Sequence, residues 1–137
     1  MAIIWSIGVS RRRGVIYSIL IVEGKPALRI ELISALTGDT FKVTDTSDYF
    51  EALWQLDESE YDLVIMNVEL PLIDSWEACY WLHQTFGIPI ILLGRDSSGE
   101  AWARAVQAGA DFYLRVPFSY LELTARVKAI LRRYRKD

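Results

Sequence analysis

The sequence predicts an α/β protein with a five-stranded parallel, doubly wound sheet between two layers of helices. Short apolar segments alternate five times with longer segments whose apolar residues recur at helical spacing. Three of the apolar segments are almost continuously apolar, which is typical of parallel strands covered on both faces. The length of 137 residues suits a single domain.

The predicted strands are short, and each precedes a helical segment. They span 17–22, 41–44, 62–66, 88–93 and 112–114. The order is therefore a (βα) unit repeated five times, which gives right-handed crossovers and an open sheet. Residues 1–14 lie outside this repeat and are expected to be an extra strand or a disordered arm. We therefore divide the chain into an N-terminal extension, 1–14, and one domain, 15–137.

The first two helical segments have clear start residues, and the first also has a stop residue. Pro26 opens the first segment, where its missing N–H costs nothing, and Gly38 follows as a stop. Asp48 and Glu51 have the spacing of a capping box, in which each side chain accepts a backbone N–H of the other residue. This pattern predicts that the second helix begins just after Asp48.

The remaining helices are predicted in the same way. The third covers 75–86 and stops at Gly87, and the fourth covers 99–108. Ser119 and Glu122 form a second predicted capping box, which starts the fifth helix. Each predicted helix thus has sequence signals at one or both of its ends.

Composition excludes several classes of protein. Hydrophobic residues make up 52% of the chain and charged residues 24%, which excludes intrinsic disorder. The single cysteine, Cys79, excludes a disulfide framework and a multi-cysteine zinc site. No apolar run approaches the roughly 18 residues that span a membrane. We expect a soluble, cytoplasmic chain with no membrane partner.

The formal net charge of −3 is unevenly distributed. Residues 1–13 carry three arginines and no acidic residue, and 126–137 carry six basic residues and one acidic residue. The body between them is strongly acidic, which disfavours nucleic acid. The basic C-terminal segment is either a solvated helix end, where cations complement the helix dipole, or the start of a linker.

In a doubly wound sheet the functional crevice lies beyond the carboxyl ends of the strands. The residues at these ends are Glu23 and Gly24 after the first strand, Asn67 after the third, Gly94 after the fourth and Val116 after the fifth. No glycine-rich phosphate loop follows the first strand.

Three segments together resemble a response-regulator receiver domain, which has the flavodoxin/CheY-like fold. They are 19–26, 62–74 and 108–114, with the Pro-Phe pair 117–118 after the last. The likeness covers about residues 16–134 and rests on their joint order and spacing. It implies two-component signal transduction, in which a histidine kinase donates a phosphoryl group to an aspartate after the third strand. It also implies a Mg²⁺ ion that acidic residues hold. A lysine and a hydroxyl group would stabilise the phosphoryl oxygens.

At nearly every one of these positions, this sequence has a residue type that differs from the one the family uses. Asn67 stands at the phosphoacceptor position, and the acidic pair is reduced to Glu23 beside Gly24. Gly94 occupies the hydroxyl position and Val116 the lysine position. An amide is a poor nucleophile, and the remaining donors suit Mg²⁺ badly. We therefore expect a degenerate phosphoacceptor site, no enzymatic activity, no metal site, and Mg²⁺ binding that is lost or very weak.

Other single residues have simpler interpretations. Tyr113 matches the family's switch aromatic, whose usual coupling partner is the hydroxyl missing at Gly94, and the bond before Pro117 matches one that is usually cis. Cys79 is interpreted as a small buried residue, and His83 as a surface or packing residue, not a phosphoacceptor. The four tryptophans of the predicted helices are interpreted as core: Trp54, Trp76, Trp81 and Trp102. The last three are alternatively aromatic anchors for a partner.

The fifth helix resembles that of the OmpR/PhoB-like winged-helix regulators. This resemblance implies a symmetric dimer through helix 4, strand 5 and helix 5. The residues at matching positions of this face are Trp102, Arg104, Asp111, Glu122, Arg126 and Arg133. Trp102 falls where the family has a basic residue, so the network of charged pairs is incomplete. Exposed pairs of this kind set register more than affinity.

We therefore predict an atypical receiver domain that works without phosphorylation, as a protein-interaction or dimerisation module. It would be the regulatory domain of a winged-helix regulator if an effector domain follows, and DNA would enter only through that additional C-terminal domain. The alternative is a pseudo-receiver whose less charged crevice holds a small ligand. An enzyme of unrelated chemistry would have only Glu23 and Glu69 as an acid/base pair.

Overall fold

The computed structural model describes residues 16–38 and 41–134, and these ranges hold five strands and five helices. The predicted N-terminal extension, 1–14, lies outside the described residues. The strands are β1 (Ser18–Val22), β2 (Lys42–Thr46), β3 (Leu63–Asn67), β4 (Ile90–Gly94) and β5 (Phe112–Arg115). The helices are α1 (Pro26–Thr37), α2 (Tyr49–Glu58), α3 (Ser75–Phe86), α4 (Gly99–Gln107) and α5 (Tyr120–Tyr134).

The strands form one parallel sheet in the order β2-β1-β3-β4-β5, as the alternating pattern predicts. Successive side chains of a strand point to opposite faces, so β1 supplies two cores. Ile19 and Ile21 pack with α1 and α5, whereas Leu20 and Val22 pack with α2, α3 and α4. The strand order reverses between β1 and β3, which places the crevice at that switch point.

Two strand boundaries lie two residues from the prediction: the start of β4, at Ile90 instead of residue 88, and the end of the edge strand β2. Its burial is partial, and only Thr46 of its residues is buried. The strand continues to Thr46, two residues beyond the predicted end, because pairing with β1 extends to Val22. Hydrophobic pattern alone marks a half-exposed strand weakly.

The helix ends agree with the sequence in part. Gly87 adopts a left-handed conformation with φ of 63° and ends α3, as predicted. The predicted capping box of α2 forms only in its first half. Asp48 accepts from the Phe50 N–H at 2.9 Å, but Glu51 accepts from the Thr46 hydroxyl at 3.0 Å and not from the Asp48 N–H. The Thr46 hydroxyl oxygen accepts the Asp48 N–H at 3.1 Å, so the Glu51 carboxylate is linked to that N–H through the Thr46 hydroxyl.

The start of α5 shows half of its predicted capping box, because the Ser119 hydroxyl accepts the Glu122 N–H at 3.3 Å. Asp74 is a cap that the sequence analysis missed, and it accepts from the N–H groups of Trp76 and Glu77 at 3.0 and 3.2 Å. No helix within the described ranges has the length and apolar character needed to cross a membrane.

Candidate functional site

The crevice at the carboxyl ends of β1 and β3 contains a buried pair of polar side chains. Glu23 is 2% exposed and Asn67 is 5% exposed. The Asn67 amide Nδ2 donates to Glu23 Oε1 at 2.6 Å, and the Lys25 backbone N–H donates to Glu23 Oε2 at 2.9 Å. The amide oxygen of Asn67 accepts the Glu69 N–H at 2.7 Å. Each polar group of this pair thus has a partner inside the chain.

The residue type at position 67 determines whether this pair is stable. An ionised carboxylate only accepts hydrogen bonds, so the amide of Asn67 can donate to Glu23 where a second carboxylate would be repelled. Burial makes the choice more important, because an unpaired charge inside a protein is costly. Asn67 therefore donates a hydrogen bond to Glu23 and adds no second charge to the crevice.

The cationic groups beside the crevice are engaged by acidic neighbours. Arg29 donates through Nη1 to the Glu23 backbone oxygen at 2.8 Å, and its Nε lies 3.1 Å from Asp45 Oδ2. At the mouth, Arg95 Nη2 lies 3.2 Å from Glu69 Oε1 in an exposed pair. Such an exposed pair contributes at most about 1 kcal/mol to stability, so it is a weak contact at the opening of the crevice.

Gly94 leaves space that the side chain of Tyr113 fills. A Cβ at residue 94 would overlap the Tyr113 hydroxyl oxygen and lie 3.0 Å from ring atoms Cε1 and Cζ. The Tyr113 hydroxyl donates to the backbone oxygen of Asp96 at 2.6 Å. Burial raises the pKa of Tyr113, and the charge of Asp96 adds to the rise. The hydroxyl therefore stays protonated and keeps donating.

Val116 is the fifth crevice residue predicted from the sequence. It is buried after β5, and its side chain packs in the core that α1 and α5 cover. Its peptide bond to Pro117 is cis, as the resemblance implies. Gly24 lies opposite the ring of Pro71, whose Cδ would be 3.6 Å from a Cβ at residue 24.

An aromatic cluster adjoins the crevice and consists of Trp76, Trp102, Phe112 and Tyr113. Trp76 stacks on Tyr113 with ring centroids 6.3 Å apart and an interplanar angle of 16°. Trp102 meets Phe112 and Tyr113 edge-on at 5.1 and 6.4 Å. These contacts hold Tyr113 between α3 and α4.

Two arginines cover the ends of the aromatic cluster. The guanidinium carbon of Arg104 lies 4.7 Å from the Trp76 ring centroid, and that of Arg126 lies 4.1 Å from the Phe112 centroid. Arginine in these positions is attracted to the ring face. The cluster thus runs from α3 through α4 and β5 to α5.

The predicted dimer-face residues lie on α4, β5 and α5, but not all are equally accessible. Trp102 is 41% exposed, and Glu122, Arg126 and Arg133 are exposed. Asp111 is partly buried and engaged within the chain, because Oδ2 accepts the Ile90 N–H at 3.0 Å and Oδ1 accepts the Tyr134 hydroxyl at 2.6 Å.

Tyr134 is a residue that sequence reasoning treated only as part of a helix face. Burial and the hydrogen bond to Asp111 raise the pKa of Tyr134 to about 12. Val106 on α4 and Leu121 on α5 are exposed apolar residues that the sequence pattern does not single out. The position of Phe112 directly before Tyr113 is a signal that could have pointed to the aromatic cluster.

Three of the four helix tryptophans contradict the interpretation as core. Trp54, Trp81 and Trp102 are exposed, and only Trp76 is partly buried. The interpretation of Cys79 is confirmed: it is fully buried, and burial raises the pKa of its thiol to about 12.

His83 packs as expected. Its ring lies against Gly109, where a Cβ would come within 3.1 Å of the imidazole. Gly109 also has a φ of 87°, which glycine adopts without strain.

The model of the response regulator receiver domain family matches residues 19–128 of this sequence. The chain belongs to this family. The receiver domain is 38% identical over 116 residues to the transcriptional activator protein IrlR of Burkholderia pseudomallei, which covers 84% of the chain and 50% of that protein. It is 36% identical over 117 residues to the KDP operon transcriptional regulatory protein KdpE of Escherichia coli, with coverages of 85% and 52%.

The receiver domain therefore spans about half the length of the curated relatives that it matches. Solved structures agree with its fold. A two-component response regulator from Clostridium difficile superposes with a TM-score of 0.82 at 27% identity, covering 88% of this chain and 99% of that one. A response regulator from Chloroflexus aurantiacus gives 0.81 at 32% identity, with coverages of 86% and 99%.

Proposed function

We propose that this receiver domain acts in two-component signalling without being phosphorylated, as a module that binds a protein partner or a second copy of itself. The observation that carries the proposal is the buried pair of Asn67 and Glu23. The family's reaction needs a carboxylate nucleophile after β3, and here an amide occupies that position and donates to Glu23 at 2.6 Å. We further propose that this role is non-enzymatic and cytoplasmic.

The donors present do not fit a Mg²⁺ site. Mg²⁺ prefers six oxygen ligands, including one or two carboxylates. Both carboxylate oxygens of Glu23 already accept hydrogen bonds, and the described residues contain no group of three or more His, Cys, Asp or Glu that could hold a metal. We therefore propose that Mg²⁺ binding is lost or very weak.

The position of Tyr113 supports a receiver that stays in one state. Its ring fills the space beside Gly94, stacks on Trp76 and donates to Asp96. A side chain that is packed on two sides and hydrogen-bonded at its tip has little freedom to switch. We propose that the domain presents the same surface in the presence and absence of a phosphoryl donor.

The proposed binding surface is the α4–β5–α5 face, defined by the predicted residues Trp102, Arg104, Asp111, Glu122, Arg126 and Arg133. Trp102 and Arg126 each contact the Phe112 ring, and together they supply an aromatic and a cationic group on this face. Exposed Trp and Arg side chains of this kind are frequent binding hot spots. Acidic and basic side chains occur together on the face, which suits self-association.

The named relatives are transcriptional regulators, and about half of their length lies beyond the receiver domain. We propose that the receiver domain regulates a DNA-binding effector domain in the same way, with DNA contacts confined to that domain. The crevice ligand is a weaker alternative, because the Tyr113 side chain already fills the space beside Gly94.

The first experiment tests phosphorylation. The full chain is incubated with acetyl phosphate and Mg²⁺, and its intact mass is measured. We expect no added phosphoryl group. The control variant Gly24→Asp/Asn67→Asp/Val116→Lys restores the carboxylates and ammonium that the family uses, and a mass increase there shows that the assay detects the adduct. A stable adduct on the unmodified chain contradicts the proposal.

The second experiment tests the surface. Sedimentation equilibrium measures the dimer constant of the unmodified chain and of Arg126→Glu, which places an acidic group over Phe112. We expect self-association in the unmodified chain and its loss in the variant, since Arg126 is exposed and lies over the Phe112 ring of β5. The matched control is Lys42→Glu, an exposed residue on β2 at the opposite edge of the sheet. Equal constants for all three chains contradict dimerisation through α4, β5 and α5.

A further inference from the structure

Helix α4 has two exposed apolar side chains on one side. Its buried residues are Ala101 and Ala105. Trp102 and Val106 each follow one of these residues, which places them about 100° further round the helix and one turn apart. Trp102 is 41% exposed and Val106 is 64% exposed. We call these two side chains the apolar pair of α4.

The apolar pair lies on the side of α4 towards α5. Trp102 meets the Phe112 ring of β5 edge-on with centroids 5.1 Å apart, and the Arg126 guanidinium of α5 lies 4.1 Å from the same ring centroid. Arg104 lies on the other side of α4, because its guanidinium covers the ring of Trp76 on α3. The side of α4 towards α5 is therefore apolar, and the cation of α4 lies away from it.

The acidic group of β5 is engaged within the chain. One carboxylate oxygen of Asp111 accepts the Ile90 N–H, and the other accepts the Tyr134 hydroxyl. Pairing Asp111 with a cation of another molecule would weaken both hydrogen bonds, so a second molecule gains little from it. A network of ion pairs across the α4–β5–α5 face would therefore lack its acidic member on β5.

Glu122 and Arg126 carry opposite charges that are not paired with each other. They lie four residues apart on α5, so they share one side of the helix, and both are exposed. Within residues 16–38 and 41–134, no ion pair joins them. Two α5 helices that run antiparallel about a twofold axis bring Glu122 of each copy to Arg126 of the other. Such a surface is complementary to itself, which favours a second copy as its occupant.

We propose that two copies of the domain associate through an apolar contact centred on Trp102 and Val106 of α4. This contact presupposes the self-association proposed above for the α4–β5–α5 face, and it names the side chains that supply the affinity. Both side chains gain by leaving water. The exposed pairs of Glu122 with Arg126 of the other copy set the register and add little affinity.

Sedimentation equilibrium of the full chain at low and high NaCl concentration, about 50 and about 500 mM, tests the source of the affinity. We expect the dimer constant to weaken by less than about fivefold, because salt screens the exposed pairs and leaves the apolar contact intact. Greater weakening assigns the affinity to charges and overturns the proposal. A chain that is monomeric at both concentrations contradicts the self-association itself, and the apolar contact with it.

A substitution on α4 tests the apolar contact without changing charge. Val106→Ser removes apolar surface from both copies at once, and we expect the dimer constant to weaken about tenfold. The matched control is Ile30→Ser on α1, because Ile30 is 63% exposed, and it should leave the dimer constant unchanged. Circular dichroism verifies that both variants fold. A dimer constant for Val106→Ser equal to that of the unmodified chain overturns the proposal.

Charge variants test the antiparallel register. Glu122→Arg and Arg126→Glu each place like charges opposite one another between identical copies, so each variant alone should be monomeric. In a mixture of the two variants, opposite charges meet at both positions, and we expect a dimer that contains one copy of each. A dimer of Glu122→Arg alone, or a mixture that stays monomeric, overturns this arrangement of the two copies.

Discussion

The crevice and the α4–β5–α5 face use the same kinds of side chain in opposite ways. In the crevice, Glu23 and Asn67 are buried and satisfy each other, and Tyr113 fills the space beside Gly94. On the face, Trp102 and Arg126 remain exposed around Phe112. One region has its polar groups paired inward, and the other presents them to solvent. The comparison supports the proposal that binding belongs to the face and that the crevice pair contributes to stability.

The largest expected effect breaks the crevice pair. Asn67→Asp places a second carboxylate beside buried Glu23, and we expect a loss of about 3 kcal/mol in the free energy of unfolding at neutral pH. Repulsion raises the pKa of one carboxyl group in the folded state above its unfolded value. The loss should therefore shrink as the pH falls through that raised pKa and the group binds a proton. Urea unfolding at several pH values measures it.

The matched rescue for this variant is Glu23→Gln/Asn67→Asp, which reverses donor and acceptor and leaves one charge. Most of the lost stability should return. If Asn67→Asp unfolds at the same urea concentration as the unmodified chain at every pH, the pair does not stabilise the crevice.

The next effect concerns the space beside Gly94. In Gly94→Thr the new side chain displaces the Tyr113 ring, which loses its stacking on Trp76 and its hydrogen bond to Asp96. We expect a loss of about 2 kcal/mol, typical of an overpacked site. Gly99→Thr is the control, because a Cβ there meets nothing within 4 Å. Similar unfolding curves for the two variants would show that Tyr113 has room to move.

A smaller effect is expected at the base of the α4–β5–α5 face. Tyr134→Phe removes the hydrogen bond to Asp111 and should cost about 1 kcal/mol, since the hydroxyl lies near the surface. The pKa of Tyr134 is raised from 10.0 to about 12, so its hydroxyl stabilises the folded state below pH 10. That contribution is lost as the pH rises towards 12.

The difference in stability between the unmodified chain and Tyr134→Phe should therefore be constant below pH 10 and decline above it. Thermal unfolding followed by circular dichroism across this range measures the difference. A difference that grows above pH 10 would mean that the phenolate form is the stabilising one.

The smallest effect on folding is expected for Trp102→Ala, whose side chain is partly exposed. Its main effect should be on association, with the dimer constant weakened about tenfold, as for a truncated hot-spot aromatic. Trp54→Ala, also an exposed helix tryptophan, is the control and should leave the dimer constant unchanged. Sedimentation equilibrium distinguishes them, and equal weakening would remove Trp102 from the interface.

The sequence predicted the fold well because the strands differ sharply from the helices in pattern. The buried strands β1, β3 and β4 carry apolar residues on both faces, and Gly87 and Pro26 mark helix ends unambiguously. The half-exposed strand β2 lacks this pattern, so its end was misplaced. The relay from Glu51 through Thr46 also escaped prediction, because it depends on where β2 ends.

The candidate site was predictable in position but not in geometry. Topology alone brings Glu23, Asn67 and Gly94 to one edge of the sheet. The sequence does not show that Tyr113 turns towards Gly94 or that Asp111 binds Tyr134, because both depend on side-chain directions across separate elements. The exposure of Trp54 and Trp81 was missed for a related reason: α2 and α3 carry aromatic residues on more than one side, so their type does not identify the core face.

The most direct test compares the crevice and the face in one NMR measurement. Spectra of the ¹⁵N-labelled full chain are recorded with Mg²⁺ and beryllofluoride, a phosphoryl mimic, and without them. We predict no shift changes at Glu23, Asn67 or Tyr113 and none on α4, β5 or α5. Saturable shifts in the crevice accompanied by shifts on the face would show a working phosphoryl site coupled to the surface, and would contradict a receiver that acts without phosphorylation.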